Sequence, residues 1–163
     1  MKKIKPGPGQ ESVWDYPRPP RLEKFRGHIS IQHQGITLVS SNKTYRVLET
    51  SHPPVYYIPP EDIQMQYLQS NAQRNTFCEW KGMASYYDWV HEKKRQARVA
   101  WFYPTPSNSF EEIRDYLAFY PSKMEACYVN DELVQAQEGD FYGGWITSNI
   151  VGPFKGPSGT WGW

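Results

Sequence analysis

From Arg26 onward, apolar and polar positions alternate with the period of two expected of a strand with one buried face. The alternation runs through Ile29 and Ile31, breaks at His33-Gln34-Gly35 and resumes at Ile36 and Leu38, which predicts two strands joined by a turn. Tyr45, Val47 and Leu48 predict a third strand, and Val55 to Ile58, with prolines on both sides, a short fourth. Thr76 to Trp80 predicts a strand that Met83 to Val90 extends past a bend at Gly82. Arg98 to Tyr103 predicts another, with His91 to Gln96 as the charged turn before it. Met124 to Val129 and Glu132 to Gln135 predict a last hairpin around Asn130-Asp131, a pair that favours turns.

Two stretches read as short helices. Pro59-Pro60-Glu61-Asp62 places proline in a first turn and carboxylates where the helix dipole favours them, predicting a helix to about Asn71 with Ile63, Tyr67 and Leu68 inward. Ser109-Phe110-Glu111-Glu112 has the form of a capping box and predicts a helix that buries Phe110, Ile113 and Leu117. Along the strand after Gly82, Met83, Ser85, Tyr87 and Trp89 share one face and Ala84, Tyr86 and Asp88 the other. The first set is the more apolar and is expected to face inward. Alternation likewise separates Val99, Trp101 and Tyr103 from Ala100 and Phe102.

The flanks have a different character. Residues 1–10 are Lys, Pro and Gly with almost no anchor, which predicts a mobile tail. Pro17, Pro19 and Pro20 exclude helix over 11–25 and predict an extended strap held by Trp14 and Tyr16. The β-rich core is expected over 26–138, and the Gly-rich, aromatic stretch 139–163 is expected to pack on it, being too apolar for a free tail.

A chain of 163 residues is most simply one domain, since folding at that size removes roughly 70% of the extended surface from water. With 18 basic and 17 acidic residues, the surface is not that of a general nucleic-acid or membrane binder. The two cysteines, Cys78 and Cys127, are expected as reduced thiols in a soluble, cytoplasmic protein, because no apolar run follows the basic N-terminus or reaches the roughly 20 residues that cross a bilayer. Aromatic residues make up 16% of the chain, enough to line a binding groove as well as a core.

The candidate chemistry concentrates in TFCEWKGMASYYDW, Thr76 to Trp89. Lys81 is either a solvated surface lysine or a point charge that binds an anion beside tyrosine hydroxyls. Cys78 is either a small buried hydrophobe or a thiol activated by Lys81, the latter requiring a bend at Gly82 to bring the two together. His28, His33, His52 and His91 are scattered and supply no closely spaced metal ligands, so no metal site is expected. Gly143-Gly144 lacks the lysine and the setting of a phosphate loop. Glu138 and Asp140 form an i,i+2 acidic pair that reads as a surface turn or, less simply, as two ligands for one metal.

The runs VYYIPPEDI (Val55 to Ile63), TFCEWKGMASYYDW, AWFYPTP (Ala100 to Pro106) and DYLAFYPSKM (Asp115 to Met124) resemble, in order and spacing, the domain of unknown function family 427. Tyr57, Asp62, Cys78, Lys81, Gly82, Tyr86, Trp101, Tyr103, Tyr116, Phe119, Tyr120 and Pro121 fill positions of its pattern over about 26–134, while Trp80 stands where tyrosine is more usual. The flanks WDYPRPPRL and GGWITSNIVGPFKG look like the cyanobacterial form of that family. The resemblance implies a compact, mainly antiparallel, β-tent-like or barrel-like domain with two short helices. It also implies a pocket lined by Tyr57, Lys81, Tyr86, Trp101, Tyr103, Tyr116 and Tyr120.

The family is catalogued under a nucleotidyltransferase label, although the chain shows neither the paired carboxylates nor the Gly-Ser loop that such enzymes use. Two expectations follow. One is a domain that binds a small anionic or nucleotide-like ligand without a bound cofactor, with Cys78 as nucleophile or Asp62 as general base if it also catalyses. The other is a non-catalytic interaction module or homo-oligomer that uses its aromatic strap and tail.

Overall fold

The computed structural model describes residues 1–78, 80–139 and 141–163, with the backbone alone described at 72–75. Its largest sheet is antiparallel and sets Ala118–Phe119, Lys94–Phe102, Gly82–His91 and Leu68–Cys78 side by side. Side chains alternate across a strand, so each strand of this sheet serves two apolar layers. Tyr87, Ala100, Phe102 and Phe119 pack into the main core with Ile29, Ile31, Leu38, Ile58 and Leu117. Ala84, Tyr86, Trp101 and Ala118 point the other way, into a second cluster with Val47, Tyr57, Tyr103 and Phe110. The sheet therefore divides a packed core from the layer that carries the candidate site.

A second antiparallel sheet, ordered Glu132–Leu133, Ala126–Val129, Ile29–His33 and Ile36–Ser41, closes the main core. Its hairpin turns at Gln34 and Gly35, both at positive φ (49° and 76°), the backbone of a two-residue turn that matches strand twist. A three-stranded sheet, Arg21–Lys24, Tyr45–Leu48 and Val55–Tyr57, backs the second cluster. The C-terminal segment is stitched to the rest by two short pairings. Glu11–Ser12 runs parallel to Ile150–Val151, and Gln135–Ala136 runs antiparallel to Trp145–Ile146. Trp145 is fully buried in the main core and donates its indole N–H to the Phe119 carbonyl at 3.2 Å. The result is a compact, mainly β domain whose described sheets do not close into a barrel. No described helix is long and apolar enough to cross a membrane.

Several local expectations give way to tertiary pairing. The helix expected from Pro60 to Asn71 is two single 3-10 turns, Pro60–Asp62 and Met65–Tyr67, followed by strand from Leu68. Ile63 bridges Val39, and the Gln64 amide donates to the Leu38 carbonyl at 2.9 Å, so sheet contacts override the helix-start signals of the prolines and acids. The second helix is also 3-10, Asn108–Ile113, and Ser109 lies inside it instead of capping it. Ser107 stands at the N-cap instead, two residues earlier, and is held there by bonds to the Trp80 and Lys81 carbonyls.

Gly82 is not a bend within one strand. Cys78 pairs with Gly82 and Thr76 with Ala84, so the chain reverses there into an antiparallel hairpin. The charged turn at 91–96 narrows to Glu92 and Lys93, both at positive φ, and the next strand begins at Lys94. Both faces of Gly82–His91 are covered: Tyr87 and Trp89 pack on the main core as expected, but Ala84, Tyr86 and Asp88, expected on the less buried face, are buried as well, and Met83, expected inward, is 44% exposed. Asp88 is tolerated inside because it accepts from the Arg98 amide (2.8 Å), Arg95 Nε (2.8 Å) and Asn71 Nδ2 (3.0 Å). A register shift between Tyr87 and Trp89 interrupts the pairing with Lys94–Phe102. Of the acidic pair Glu138 and Asp140, Asp140 lies outside the described residues.

Candidate functional site

The site begins with the way the sequence presents Lys81. The 68–78/82–91 hairpin can reverse at Gly82 because glycine adopts φ of 111°, where an L side chain is strained. The loop 104–108 then clamps the tip. The Ser107 amide donates to the Lys81 carbonyl at 3.0 Å and the Ser107 hydroxyl to the Trp80 carbonyl at 2.6 Å. Behind this clamp Lys81 is only 9% exposed. Its Nζ lies 6.0 Å from the ring centre of Tyr103 and 5.8 Å from that of Phe110. Among the described residues it makes no hydrogen bond or ion pair.

The ammonium lines a cavity of about 410 Å³ between the central sheet and the three-stranded one. One wall is the inward rung Tyr86 and Trp101 with Ala84, and the facing wall is Val47, Val55 and Tyr57. Trp101 donates its indole N–H to the Tyr57 hydroxyl at 3.2 Å, and Tyr120 packs on Trp101 with ring centres 4.5 Å apart. The hydroxyls of Thr76 and Tyr86 are 2.7 Å apart. Burial pushes the phenols of Tyr57, Tyr103 and Tyr120 far above the usual tyrosine range, so they stay protonated and can donate. The exposed rings of Phe77 and Phe141 stand at the rim.

The remaining wall comes from two distant segments, Glu49 to Pro53 and Phe141 to Gly143 with Lys155. Buried Gln137 ties them together. Its Nε2 donates to the Lys155 carbonyl at 2.7 Å and lies 3.3 Å from Nδ1 of His52, while its Oε1 accepts from the Gly144 amide at 3.1 Å. Burial, and then the charges of Lys155, Arg18 and Lys81, push the His52 imidazole down to about 4, so it is neutral at pH 7. Glu49, the one carboxylate lining the cavity among the described residues, is already engaged, 3.5 Å from Arg18 and 3.8 Å from His52.

Of the residues singled out from the sequence, Tyr57, Cys78, Lys81, Tyr86, Trp101, Tyr103 and Tyr120 line this one cavity. Tyr116 does not line it; its ring packs beside Tyr45 at 5.9 Å. Asp62 is also elsewhere, accepting from the Ser41 hydroxyl at 2.6 Å beside a shallow groove at 37–40 and 61–64. Cys78 and Asp62 therefore do not share a site. Cys127 is buried in the main core, where burial pushes its thiol up to about 12. Nothing in the sequence joins His52 to Tyr142, Gly143 and Lys155, which follow it by about ninety to a hundred positions; the fold brings them together. Among the described residues, no group of three or more His, Cys, Asp and Glu side chains gathers as a metal site.

No curated protein matches the chain. A family pattern does match, described as Domain of unknown function (DUF427), over residues 21–130. That span holds the hairpin with Lys81 and every ring of the sheet-side wall, so the chain belongs to this domain of unknown function family, with the wall from Phe141 to Lys155 lying beyond the matched residues.

Proposed function

We propose that the cavity binds a small anionic ligand carrying an aromatic ring, of the nucleotide kind, with Lys81 meeting the anion. The observation that carries this reading is the Lys81 ammonium, nine-tenths buried, aimed into a ring-lined cavity and without a protein counter-ion among the described residues. A buried cation is costly unless something pairs with it, so an incoming anion is stabilised there more than at a surface lysine. The protonated phenols of Tyr57 and Tyr103 supply further donors, and Trp101 and Tyr120 supply faces on which a base can stack. Stacking contributes about 1–3 kcal/mol per base, so two rings and a cation suffice for about micromolar affinity.

The family's nucleotidyltransferase label would make this a substrate site, and Cys78, on the same wall, is the nucleophile such a reaction would draw on. The binding step is tested first. Purified protein is screened by thermal shift against nucleotides and sugar phosphates, beside Lys81→Ala. A rise in the melting point that the variant loses supports the reading. No rise with any of these ligands at millimolar concentration overturns it. Where a ligand is found, turnover that survives Cys78→Ser at full rate removes the thiol from the chemistry.

A further inference from the structure

The cavity holds a second cation whose role the binding of one anion leaves unused. Lys155 reaches it from the C-terminal segment, outside the residues that match the family. Its backbone is fixed at both ends: the amide donates to the Ser51 carbonyl at 2.9 Å and the carbonyl accepts from Gln137 at 2.7 Å. The next residue, Gly156, has φ of 142° and lies so close to the Glu138 carbonyl that no side chain would fit. This placement is built by the fold. The Lys155 Nζ lies 5.8 Å from the ring centre of Tyr142 and has no hydrogen bond or ion pair among the described residues.

We propose that Lys155, with His52 and Tyr142, forms a second anion subsite in the cavity, so that the natural ligand carries two separate anionic groups, as a nucleoside diphosphate or bisphosphate does. This rests on the ligand-binding reading above and deepens it. Lys81 sits in its own aromatic box of Tyr103 and Phe110, and Lys155 sits against Tyr142, so the two cations address different parts of one ligand. The groups that face His52 are Glu49, Arg18, Lys155, Lys81, Gln137 and Tyr142. Their charges are three positive against one negative, and Glu49 is already shared with Arg18. Leaving out Lys81, which stands on the hairpin, Arg18 and Lys155 still outnumber Glu49 on this side of the cavity, where a second phosphate would offset the surplus. In this reading the C-terminal segment selects the ligand, while the hairpin and sheet hold its first anion and ring.

The experiment is calorimetric titration of adenosine 5′-monophosphate, adenosine 5′-diphosphate and adenosine 3′,5′-bisphosphate into wild type, Lys155→Ala, Lys155→Arg and Lys81→Ala. The wild type is expected to bind one of the doubly phosphorylated probes at least about tenfold more tightly than the monophosphate, the effect of one further charge-assisted contact. Lys155→Ala is expected to remove that preference and leave monophosphate affinity within about twofold, while Lys155→Arg keeps the preference. Lys81→Ala is expected to weaken all the probes. The subsite is overturned if the wild type has no preference, or if Lys155→Ala weakens mono- and doubly phosphorylated probes alike. Monophosphate binding that still depends on Lys81 would then leave the first reading standing. If no probe binds the wild type, the subsite fails, and the first reading stands or falls on the wider thermal-shift screen.

Discussion

The indole N–H of Trp101 donates to the hydroxyl of Tyr57 at 3.2 Å, and both side chains are buried where the central sheet meets the three-stranded one. This bond ties the two walls of the cavity to each other. Tyr57→Phe keeps the ring and removes the acceptor, leaving a buried indole N–H unpaired. The expected cost is about 1–3 kcal/mol, the desolvation penalty of an orphaned donor, measured by urea unfolding. An effect below about 0.5 kcal/mol would mean that the walls are held by packing alone.

Gly143 is pressed against Trp101 from the other side. A Cβ there would run into the indole ring and would come within 3.4 Å of Tyr120. Gly143 does not have a positive φ, so alanine meets no backbone strain and would even gain about 0.4–1 kcal/mol from a stiffer unfolded chain. Overpacking costs about 1–3 kcal/mol and is the larger effect. Gly143→Ala is therefore expected to lower stability modestly and, by pushing Trp101 into the cavity, to weaken ring-bearing ligands more than inorganic phosphate. Equal losses for both would place the displaced atoms outside the ligand's ring pocket.

How far the sequence reveals this site depends on the range over which each signal acts. Alternation around Ile29, Ile31 and Leu38 marks strands because burial acts residue by residue, and the structure has those strands. The ring cluster is expected from the family resemblance and not from alternation; Tyr57, Tyr86, Trp101, Tyr103 and Tyr120 line one cavity, while Tyr116 does not. That the second face of Gly82–His91 is buried as well is not legible from hydrophobicity. Asp88 reads as outward until its partners Asn71, Arg95 and Arg98 are known, and they come from two neighbouring strands. The helix signals at Pro60 and Ser109 are local and real, but each is worth about 1 kcal/mol and sheet pairing outweighs it. Lys155 and His52 are brought together by Gln137, a buried amide that nothing in its own sequence neighbourhood distinguishes, and by the bond from the Lys155 amide to the Ser51 carbonyl.

Asp88 gives a direct test of that buried network. Burial alone would raise its carboxyl, but the Arg98 amide, the Asn71 amide and the Arg95 guanidinium more than offset this and hold it below the usual range. Asp88→Asn keeps the volume and loses the charge that these donors surround. The expected loss is about 1.5–3 kcal/mol, the range for hydrogen bonds to a charged group. The depressed carboxyl adds stability above its unfolded value near 3.9, and that stability is lost as pH falls through the folded value, so wild type and variant should converge under strong acid. Curves that stay parallel down to about pH 2 would show that the charge contributes nothing.

His52 works in the opposite sense and in a different window. Its imidazole is held at about 4 against an ordinary 6.5, so between those values the unfolded chain takes up a proton that the folded protein refuses. Stability is therefore expected to be full above about pH 6.5 and to fall as pH drops towards 4, by at most about 1.4 kcal/mol for each pH unit. His52→Gln removes the titrating group while keeping an acceptor for Gln137, and should flatten this part of the pH profile. Burial is the first cause that keeps the ring neutral and the neighbouring positive charges the second; an anion bound between Lys155 and His52 would offset the second and raise the proton affinity of the ring. Titration near pH 5 in buffers of different ionisation enthalpy should then detect proton uptake on binding in the wild type and none in His52→Gln. Equal pH slopes for the free proteins would show that His52 is not held neutral, and equal proton uptake in wild type and variant would place the titrating group elsewhere.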